Sequence, residues 1–499
     1  MTNDRPLDRR RWLCVAYAFP PINRSGTHRT LGFVRHLHRL GWDATVITAD
    51  PRGESCDAAL SLRVPASTKV VRTFWVDAVE WLKRPATLFR LPRNVVRPGA
   101  GARSNQDRRA WGADPASLAI ARRVDDGPQS VPKPSRLRSV RGWVSRWLQT
   151  PDSRAGWIPF GVWAGLRAIR AERPEVLYST SPYASAHLIA WCLHRLSGIP
   201  WAADFRDPWR GNPFQEAKFA SVDRWEAWLE RRVLACASAI ICNTPTQFNA
   251  LRRRCPWVTQ KSQVILNGID SDLMRQAAPI RAAGPGVFVI MHCGQFYGRR
   301  SPTVWFEALR RLKERQPDLA RRVRLALLGP PTCDGKPLRD LAASAGVADM
   351  VDVLGSRSHG EALSLMAGAD ALALAGADGD GAELQVPNKL FEYLGVRRPI
   401  LAAVSLQSPA VNLLRDTHAD AHICAPGDAD AICEAMVRLA SRDVGGAPVV
   451  EMNLESIDRS RRAAELLGVF ERLVRFPFLA SPFIGGVALD AGTGRRGSG

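Results

Sequence analysis

Runs of apolar residues alternate along the chain with segments whose apolar side chains recur at helical spacing. The apolar run at 11–19 ends at two prolines; Leu31, Val34 and Leu37 then share one helical face, and the run DATVITAD follows. Short continuous apolar runs are typical of buried strands. Strand, helix and strand in this order predict parallel βαβ units.

The alternation occurs in two series, which predicts two domains. EVLYSTSP, PWAADFRDPW and SAIICNTP continue the first series, and GVFVIMHCG, RVRLALLGP, DALALAG and PILAAV belong to the second. We expect an α/β protein with two doubly wound, Rossmann-like domains that face a cleft, spanning residues 1–275 and 276–455. A helix at 456–475 is expected to pack back on the first domain. Residues 476–499 form a tail without an assigned role.

Residues 96–135 interrupt this pattern and predict a flexible insert, because they are rich in Gly, Ala, Arg and Pro. In the segment RLRSVRGWVSRWLQT that follows, Val140, Val144 and Trp147 share a helical face flanked by arginines. Such a pattern is typical of a helix lying on an anionic membrane surface. The alternative is a core helix whose arginines are solvated.

The net charge of +21 over 499 residues concerns the partners of the chain and not its fold. No nucleic-acid-binding module is recognisable, and the basic residues cluster beside apolar and aromatic segments, so we expect a membrane surface and no nucleic acid. Ten cysteines without a C-x-x-C pair indicate reduced thiols. With no recognisable signal peptide, these features predict a cytoplasmic protein, peripheral at the inner face of the plasma membrane.

Two glycine-containing loops suit phosphate groups. Gly26 precedes the first helix, whose N-terminal N–H groups attract phosphate, although its basic neighbours are equally consistent with a solvated loop. Gly294 closes a strand in CGQFYGRRSP, and Arg299 and Arg300 follow it. An arginine there could bind a diphosphate through two parallel hydrogen bonds; the alternative is a basic surface turn.

The segment VPNKLFEYL at 386–394 places a cation and a carboxylate at the opening of a helix. Lys389 and the first N–H groups of the helix suit phosphates. Asn388, next to Lys389, is a candidate contact of the same ligand. Glu392 could accept hydrogen bonds from both vicinal hydroxyls of a ribose. Earlier in the chain, Asp204 and Asp207 flank an arginine in ADFRDPW. They are candidates either for a site near an acceptor hydroxyl or for a loop-shaping Arg–Asp pair.

The sequence VPNKLFEYLGVRRPIL resembles the donor-site signature of the GT-B glycosyltransferases of family four. CGQFYGRR, LNGID, PDSRAGW, STSPYASAHL and ADFRDPW extend this resemblance to residues 12–472 outside the insert. It is closest to the branch of bacterial cell-surface polysaccharide enzymes. The resemblance implies a retaining, metal-independent hexosyltransferase without a cofactor. Such an enzyme moves a sugar from a nucleotide-sugar donor to a saccharide or lipid-linked acceptor.

The resemblance also implies individual roles in binding and catalysis. Glu392 would bind the ribose, Lys389 and Arg300 would neutralise the diphosphate, and the loop of Gly26 would approach the diphosphate from the other domain. The segment from Asp204 to Asp207 would line the acceptor side.

Near the donor signature, the chain departs from the family's E-x7-E motif. The motif places its first acid at Leu384, but the acid is Glu383. Either the loop bulges so that Glu383 reaches the sugar as a catalytic residue, or backbone N–H groups take that role alone. The sequence DGD at 378–380 is nominally the metal motif of another glycosyltransferase fold. It lies in a late glycine-rich loop, so we expect no metal there.

Two other functions remain as alternatives to the transferase. A nucleotide-sugar epimerase would use the same two domains but would need neither an acceptor surface nor a membrane segment. A basic nucleic-acid-binding protein would explain the net charge, and steep salt dependence of DNA binding would favour it.

Overall fold

The computed structural model describes residues 9–77, 147, 149–210, 219–377, 386–442 and 452–476, and the structural statements below concern these residues. The predicted insert at 96–135, the DGD sequence, Glu383 and the tail after 476 lie outside them, as does the predicted membrane segment apart from its end. The described strands form two parallel sheets and one short antiparallel pair.

The first sheet has seven parallel strands in the order β3-β2-β1-β4-β5-β6-β7. Its strands are β1 (Arg10–Ala16), β2 (Trp42–Ala49), β3 (Lys69–Thr73), β4 (Val176–Thr180), β5 (Trp201–Phe205), β6 (Ala239–Cys242) and β7 (Ser262–Val264). The helices described along this half are α1 (Ser25–Arg39), α2 (Ala58–Ser61), α3 (Ile158–Glu172), α4 (Ala184–Ser197), α5 (Ala220–Cys236), α6 (Pro245–Arg254) and α7 (Ser271–Gln276).

The second sheet has six parallel strands in the order β12-β9-β8-β13-β14-β15. Its strands are β8 (Phe288–Cys293), β9 (Val323–Leu328), β12 (Val351–Gly355), β13 (Ala371–Ala375), β14 (Ile400–Ala403) and β15 (Ala421–Cys424). The antiparallel pair is β10 (Thr332–Cys333) with β11 (Lys336–Pro337). The helices described along this half are α8 (Thr303–Arg315), α9 (Pro317–Arg322), α10 (Leu338–Ser344), α11 (His359–Ala367), α12 (Asn388–Val396), α13 (Pro409–Asp416) and α14 (Ala429–Ala440).

Both faces of the central strands of each sheet are buried, which explains why these strands are mainly apolar. In β1, Leu13 and Val15 pack into a core with α3 and α4, whereas Trp12 and Cys14 pack into a core with α1. Side chains of a strand alternate between faces, so covering both faces demands apolar residues at every position. The arrangement confirms the predicted fold class.

A final helix, α15 (Arg459–Arg475), returns to the first half and packs on α1. Leu466 and Phe470 of α15 lie in the same core as Trp12 and Phe33. The segment before α15 pairs with the link LNGID at 266–270, which we call the hinge. Ile269 N–H donates to the carbonyl of Ile457 at 2.9 Å. None of the described helices is long and apolar enough to cross a bilayer.

Candidate active site

Both predicted glycine loops lie where the strand order of their sheet reverses. In the first sheet the reversal falls between β1 and β4, and in the second between β8 and β13. The loop after β1 leads to Gly26 at the start of α1, and Gly294 follows β8 directly. Open α/β sheets bind their ligands in the crevice outside the carboxyl ends of strands at such reversals. The fold therefore positions both loops for ligand binding.

Because Gly294 has no Cβ, the Lys389 side chain can occupy the space next to it. The φ of Gly294 is +148°, which residues with a Cβ rarely adopt. A Cβ on Gly294 would lie 2.3 Å from Cε and 2.6 Å from Nζ of Lys389. Lys389 is the second residue of α12, and the N-cap residue Pro387 makes no side-chain capping hydrogen bond. The ammonium therefore lies at a helix N-terminus, where the helix dipole adds positive charge.

The pKa of His292, the penultimate residue of β8, responds to burial and to the positive charges of Lys389 and Arg300. Burial, the charge of Lys389 and the charge of Arg300 lower the pKa of His292 to about 3. Arg300 Nη1 donates to the Tyr297 hydroxyl at 2.9 Å, which fixes the guanidinium in the loop after β8. Arg299 is exposed. Of the two predicted arginines, Arg300 is the one whose charge acts on the buried end of β8.

Asn388, the first residue of α12, joins the two halves of the protein. Its Oδ1 accepts from Asn267 Nδ2 at 2.7 Å, and its own Nδ2 donates to the carbonyl of Ser25 at 3.3 Å. Asn267 belongs to the hinge, and Ser25 precedes Gly26. The start of α12 is therefore in direct contact with the first glycine loop across the cleft.

Glu392 lies on α12 one turn after Lys389 and faces two histidines. Its Oε1 is 3.0 Å from Nε2 of His359, the first residue of α11. The His359 ring packs against His28 of α1, with ring centroids 4.6 Å apart. Burial opposes ionisation of Glu392, but the hydrogen bond with His359 and the charges of His359 and Lys389 outweigh it and lower the pKa to about 2. The carboxylate is therefore ionised at neutral pH.

The Glu392 side chain keeps 27% of its surface exposed. A cavity of about 30 Å³ separates Glu392 from the hinge, and Arg63 and Arg459 also line it. A space of this size holds about one water molecule. The small cavity thus has no room for a ribose, which would have to approach the exposed side of the carboxylate.

Asp204, one of the residues predicted to line the acceptor side, lies in the core of the first half. This carboxylate is fully buried and accepts hydrogen bonds from Nε and Nη2 of Arg29 at 2.8 and 2.9 Å. The hydroxyls of Tyr178 and Thr180 also donate to it. Arg29 in turn donates to the hinge residue Asn267. Asp204 therefore holds α1 and the hinge together, and in this arrangement no acceptor hydroxyl can reach it.

Asp207, by contrast, lies beside the first glycine loop. Its carboxylate accepts from Arg206 Nη2 at 2.6 Å and is 21% exposed. Arg206 Nη1 donates to Ser25 Oγ at 3.0 Å, and a Cβ on Gly26 would lie 3.0 Å from the same nitrogen. The Arg206–Asp207 pair thus forms one wall of the cleft next to Gly26.

Sequence reasoning missed Glu54, which fixes the start of the first glycine loop. The Glu54 carboxylate accepts from Arg24 Nε at 2.6 Å, from Arg154 Nη2 at 3.1 Å and from the Tyr17 hydroxyl at 2.9 Å. Arg154 comes from PDSRAGW, so that motif supports the loop from a distance in sequence. Nothing around Glu54 in PRGESCD marks it as a partner of these groups.

Glu383 and the DGD sequence lie outside the described residues, so their predicted roles stay predictions. Within the described part of the chain, no group of three or more His, Cys, Asp or Glu side chains is placed to hold a metal ion.

The two halves match models of known families. The model "Glycosyltransferase Family 4" matches residues 119–273, and the model "Glycosyl transferases group 1" matches residues 287–442. The chain is a GT-B glycosyltransferase of family four. The resemblance carried by the donor-site segment is thereby confirmed at the level of the family.

Relatives of this family-four glycosyltransferase agree with the assignment. A D-inositol 3-phosphate glycosyltransferase from Stackebrandtia nassauensis is 30% identical over 141 residues, which are 26% of this chain and 32% of the relative. The chain thus matches about a third of the length of that relative.

Two solved structures share the fold over most of their length. A glycosyltransferase from Rickettsia africae superposes with a TM-score of 0.56 at 11% identity and covers 94% of this chain and 100% of its own. HepE from Anabaena, in complex with UDP and glucose, superposes with a TM-score of 0.53 at 12% identity and covers 92% and 99%. At these identities, the two structures show the fold alone.

Proposed function

We propose that this family-four enzyme moves a sugar from a nucleotide-sugar donor to a saccharide or lipid-linked acceptor, in the synthesis of cell-surface polysaccharide. One observation carries the proposal: Lys389 and Glu392 lie one turn apart on α12, whose first residue touches the loop of Gly26 across the cleft. A cation and an ionised carboxylate at this spacing match a diphosphate next to a ribose.

The donor is proposed to bind mainly through the second domain. Lys389, Arg300 and the N–H groups at the start of α12 would hold the diphosphate, and Glu392 would accept hydrogen bonds from the ribose hydroxyls. The fold relative HepE was solved with UDP and glucose, which supports a nucleoside diphosphate as the ligand class. Asn388 would set the angle of α12 against the loop of Gly26.

The chemistry needs positioning and charge. As the bond between the anomeric carbon and the diphosphate oxygen breaks, negative charge collects on the diphosphate, and Lys389 and Arg300 stabilise it. The acceptor oxygen forms the new bond to the anomeric carbon, and its proton is proposed to pass to the Asp207 carboxylate. Asp207 is the predicted aspartate with an accessible carboxylate beside the cleft. Glu383 is proposed to contact the sugar, and the reaction is proposed to be metal-independent and to retain the anomeric configuration.

The proposed setting is the cytoplasmic face of the plasma membrane, where a lipid-linked acceptor would be available. Support comes from the basic, aromatic segment that ends at Trp147, and from the net charge of +21.

The test is release of nucleoside diphosphate from UDP-, GDP-, ADP- and dTDP-sugars, with and without a membrane-lipid extract, first in the presence of a chelator and then with added Mg²⁺. One donor should support release, and Glu392→Ala and Lys389→Ala should each reduce it strongly. Arg321→Ala, on an exposed arginine of α9, is the matched control and should behave like wild type. No release from any donor would contradict the proposal. Release that requires a divalent cation would overturn metal independence.

A further inference from the structure

Helix α5 buries its aliphatic residues, as is usual, but two glutamates and two tryptophans depart from the usual distribution. Glu226 and Glu230 are buried, with exposed fractions of 2% and 5%, whereas Trp225 and Trp228 are both 40% exposed. A helix that faces only water normally turns its tryptophans inward and its carboxylates outward. The outward positions at helical spacing, which we call the Trp–Arg face, are Arg224, Trp225, Trp228, Arg231 and Arg232.

Two of the acids of α5, Glu230 and Asp223, pair with arginines that lie outside this face. Glu230 accepts hydrogen bonds from Arg254 of α6, at 3.1 and 3.2 Å. Asp223 accepts from Arg210, at 2.7 and 2.9 Å. Both carboxylates are therefore engaged by arginines outside the Trp–Arg face. The face itself carries positive charge and indole rings.

The tryptophans form a continuous aromatic surface. The rings of Trp225 and Trp228 stack with centroids 4.7 Å apart and an interplanar angle of 13°. Trp147, near the end of the segment predicted to lie on a membrane, packs against Trp225, with ring centroids 6.2 Å apart. The Arg232 guanidinium lies over the Trp228 ring at 5.2 Å. The surface thus joins α5 to the end of the predicted membrane segment.

A groove of about 1180 Å³ continues this surface between α4, α5, the turn at 256–261 and the end of α15. Its large apolar lining residues are Trp191, Trp228, Trp257, Leu473 and Phe476. Its cationic lining residues are Arg195, Arg232, Lys261 and Arg472. None of the described residues that line it is Asp or Glu. Trp257 and Phe476 are 44% and 49% exposed, and Leu196, next to Arg195 in sequence, is 66% exposed.

We propose that the Trp–Arg face and this groove dock the protein on a lipid bilayer with anionic headgroups. Indole rings prefer the boundary between headgroups and acyl chains, and arginines pair with lipid phosphates while their stems stay in apolar surroundings. Leu196, an exposed aliphatic residue, favours a bilayer over a nucleic acid. A nucleic acid would stack on the indoles but would offer an aliphatic side chain no apolar partner.

Docking in this way would bring the edge of the cleft to the bilayer. Arg210, which pairs with Asp223 at the start of α5, lies three residues after Asp207 on the cleft wall. The proposal rests on the proposed function only in that a lipid-linked acceptor gives docking a purpose. Binding to vesicles itself requires no transferase activity.

The experiment is flotation of the full chain with phosphatidylcholine vesicles, with and without phosphatidylglycerol, at low and high salt. The variants are Arg231→Gln/Arg232→Gln and Trp225→Ser/Trp228→Ser. The matched control is Arg321→Gln/Arg339→Gln, which removes the same charge from exposed positions of the second domain. Each surface arginine is worth about 1 kcal/mol at an anionic bilayer, so the Arg231/Arg232 variant should partition roughly 30-fold more weakly.

We expect salt-sensitive binding to anionic vesicles that both α5 variants lose and the control keeps. Two results would overturn the proposal: no binding of wild type, or binding that all three variants retain. Binding to DNA that the same variants lose, without vesicle binding, would reassign the face to nucleic acid. Affinity for the nucleoside diphosphate that wild type binds, together with urea unfolding of each variant, checks folding and separates the two proposals, because loss of docking in a folded variant with intact nucleotide binding leaves the proposed function standing.

Discussion

Replacing Gly294 by alanine tests how the candidate donor site is built. The substitution adds one methyl group at a residue whose φ is +148°, where the new Cβ would lie 2.3 Å from Lys389 Cε. Two costs follow. The backbone conformation costs about 1–3 kcal/mol of folding free energy for a residue with a Cβ. The clash is relieved most readily by the flexible Lys389 side chain, which must leave the end of β8.

Displacement of Lys389 should weaken nucleotide binding. A hydrogen bond that involves a charged group contributes about 1.5–3 kcal/mol, so the loss of the ammonium–phosphate contact corresponds to roughly 10- to 150-fold weaker binding of the nucleoside diphosphate of the donor, for example UDP. Lys389→Ala removes the same contact and leaves the space open. Gly294→Ala and Lys389→Ala should therefore have similar effects on UDP affinity.

The assay is calorimetric titration of UDP into wild type, the two single variants and the double variant. If Gly294→Ala acts through Lys389, the double variant should bind UDP about as well as Lys389→Ala alone, because the contact can be lost only once. Urea unfolding of the same four proteins shows whether each variant is folded and measures the backbone cost.

Two results would refute the reasoning. Unchanged UDP affinity in a folded Gly294→Ala variant would mean that Lys389 does not contact the diphosphate. Additive losses in the double variant would mean that Gly294 acts independently of Lys389.

Three further predictions concern charge and burial. Asp204→Asn should destabilise the fold by about 3–5 kcal/mol in urea unfolding, because it leaves the buried Arg29 uncompensated; a fully stable but inactive variant would return Asp204 to a catalytic role. His359→Ala should raise the pKa of Glu392, so UDP affinity should fall between pH 7 and 5 more than in wild type; parallel pH profiles would contradict the pairing. Burial lowers the pKa of His187 to about 4. Folded His187 therefore stays neutral while the unfolded chain takes up a proton below pH 6.5, so stability should fall from pH 7 to 5 by at most about 2 kcal/mol for this residue, and less in His187→Gln.

The sequence was sufficient to predict the sheets and the position of the two glycine loops. Apolar runs without alternation indicate strands covered on both faces, and a reversal of strand order next to β1 and β8 brings the following loops to the cleft. Gly294, Lys389 and Glu392 therefore lie in one region because of the topology of a single sheet. The glycine after a strand and the start of a helix are local sequence patterns, so these positions could be predicted.

Contacts between distant parts of the chain could not be predicted in the same way. Asp204 accepts a hydrogen bond from Arg29, which lies 175 positions away in the sequence. The sequence DFRD alone does not indicate whether its first carboxylate is buried or faces a cleft. Glu54 lies in an ordinary loop and His359 at the start of α11, and only the folded chain brings them to Arg24 and Glu392. In α5 the aliphatic residues mark the buried face, but periodicity alone does not indicate that Trp225 and Trp228 are exposed while Glu226 and Glu230 are buried.

The most direct test of the central claim is calorimetric titration of UDP, GDP, ADP and dTDP into wild type and Glu392→Ala, first without metal and then with Mg²⁺. The account predicts metal-independent binding of one nucleotide to wild type. Glu392→Ala should weaken that binding by roughly 10- to 150-fold, the value of a charged hydrogen bond. Binding of none of the four nucleotides, or equal affinity in wild type and Glu392→Ala, would contradict the assignment of this cleft as the donor site.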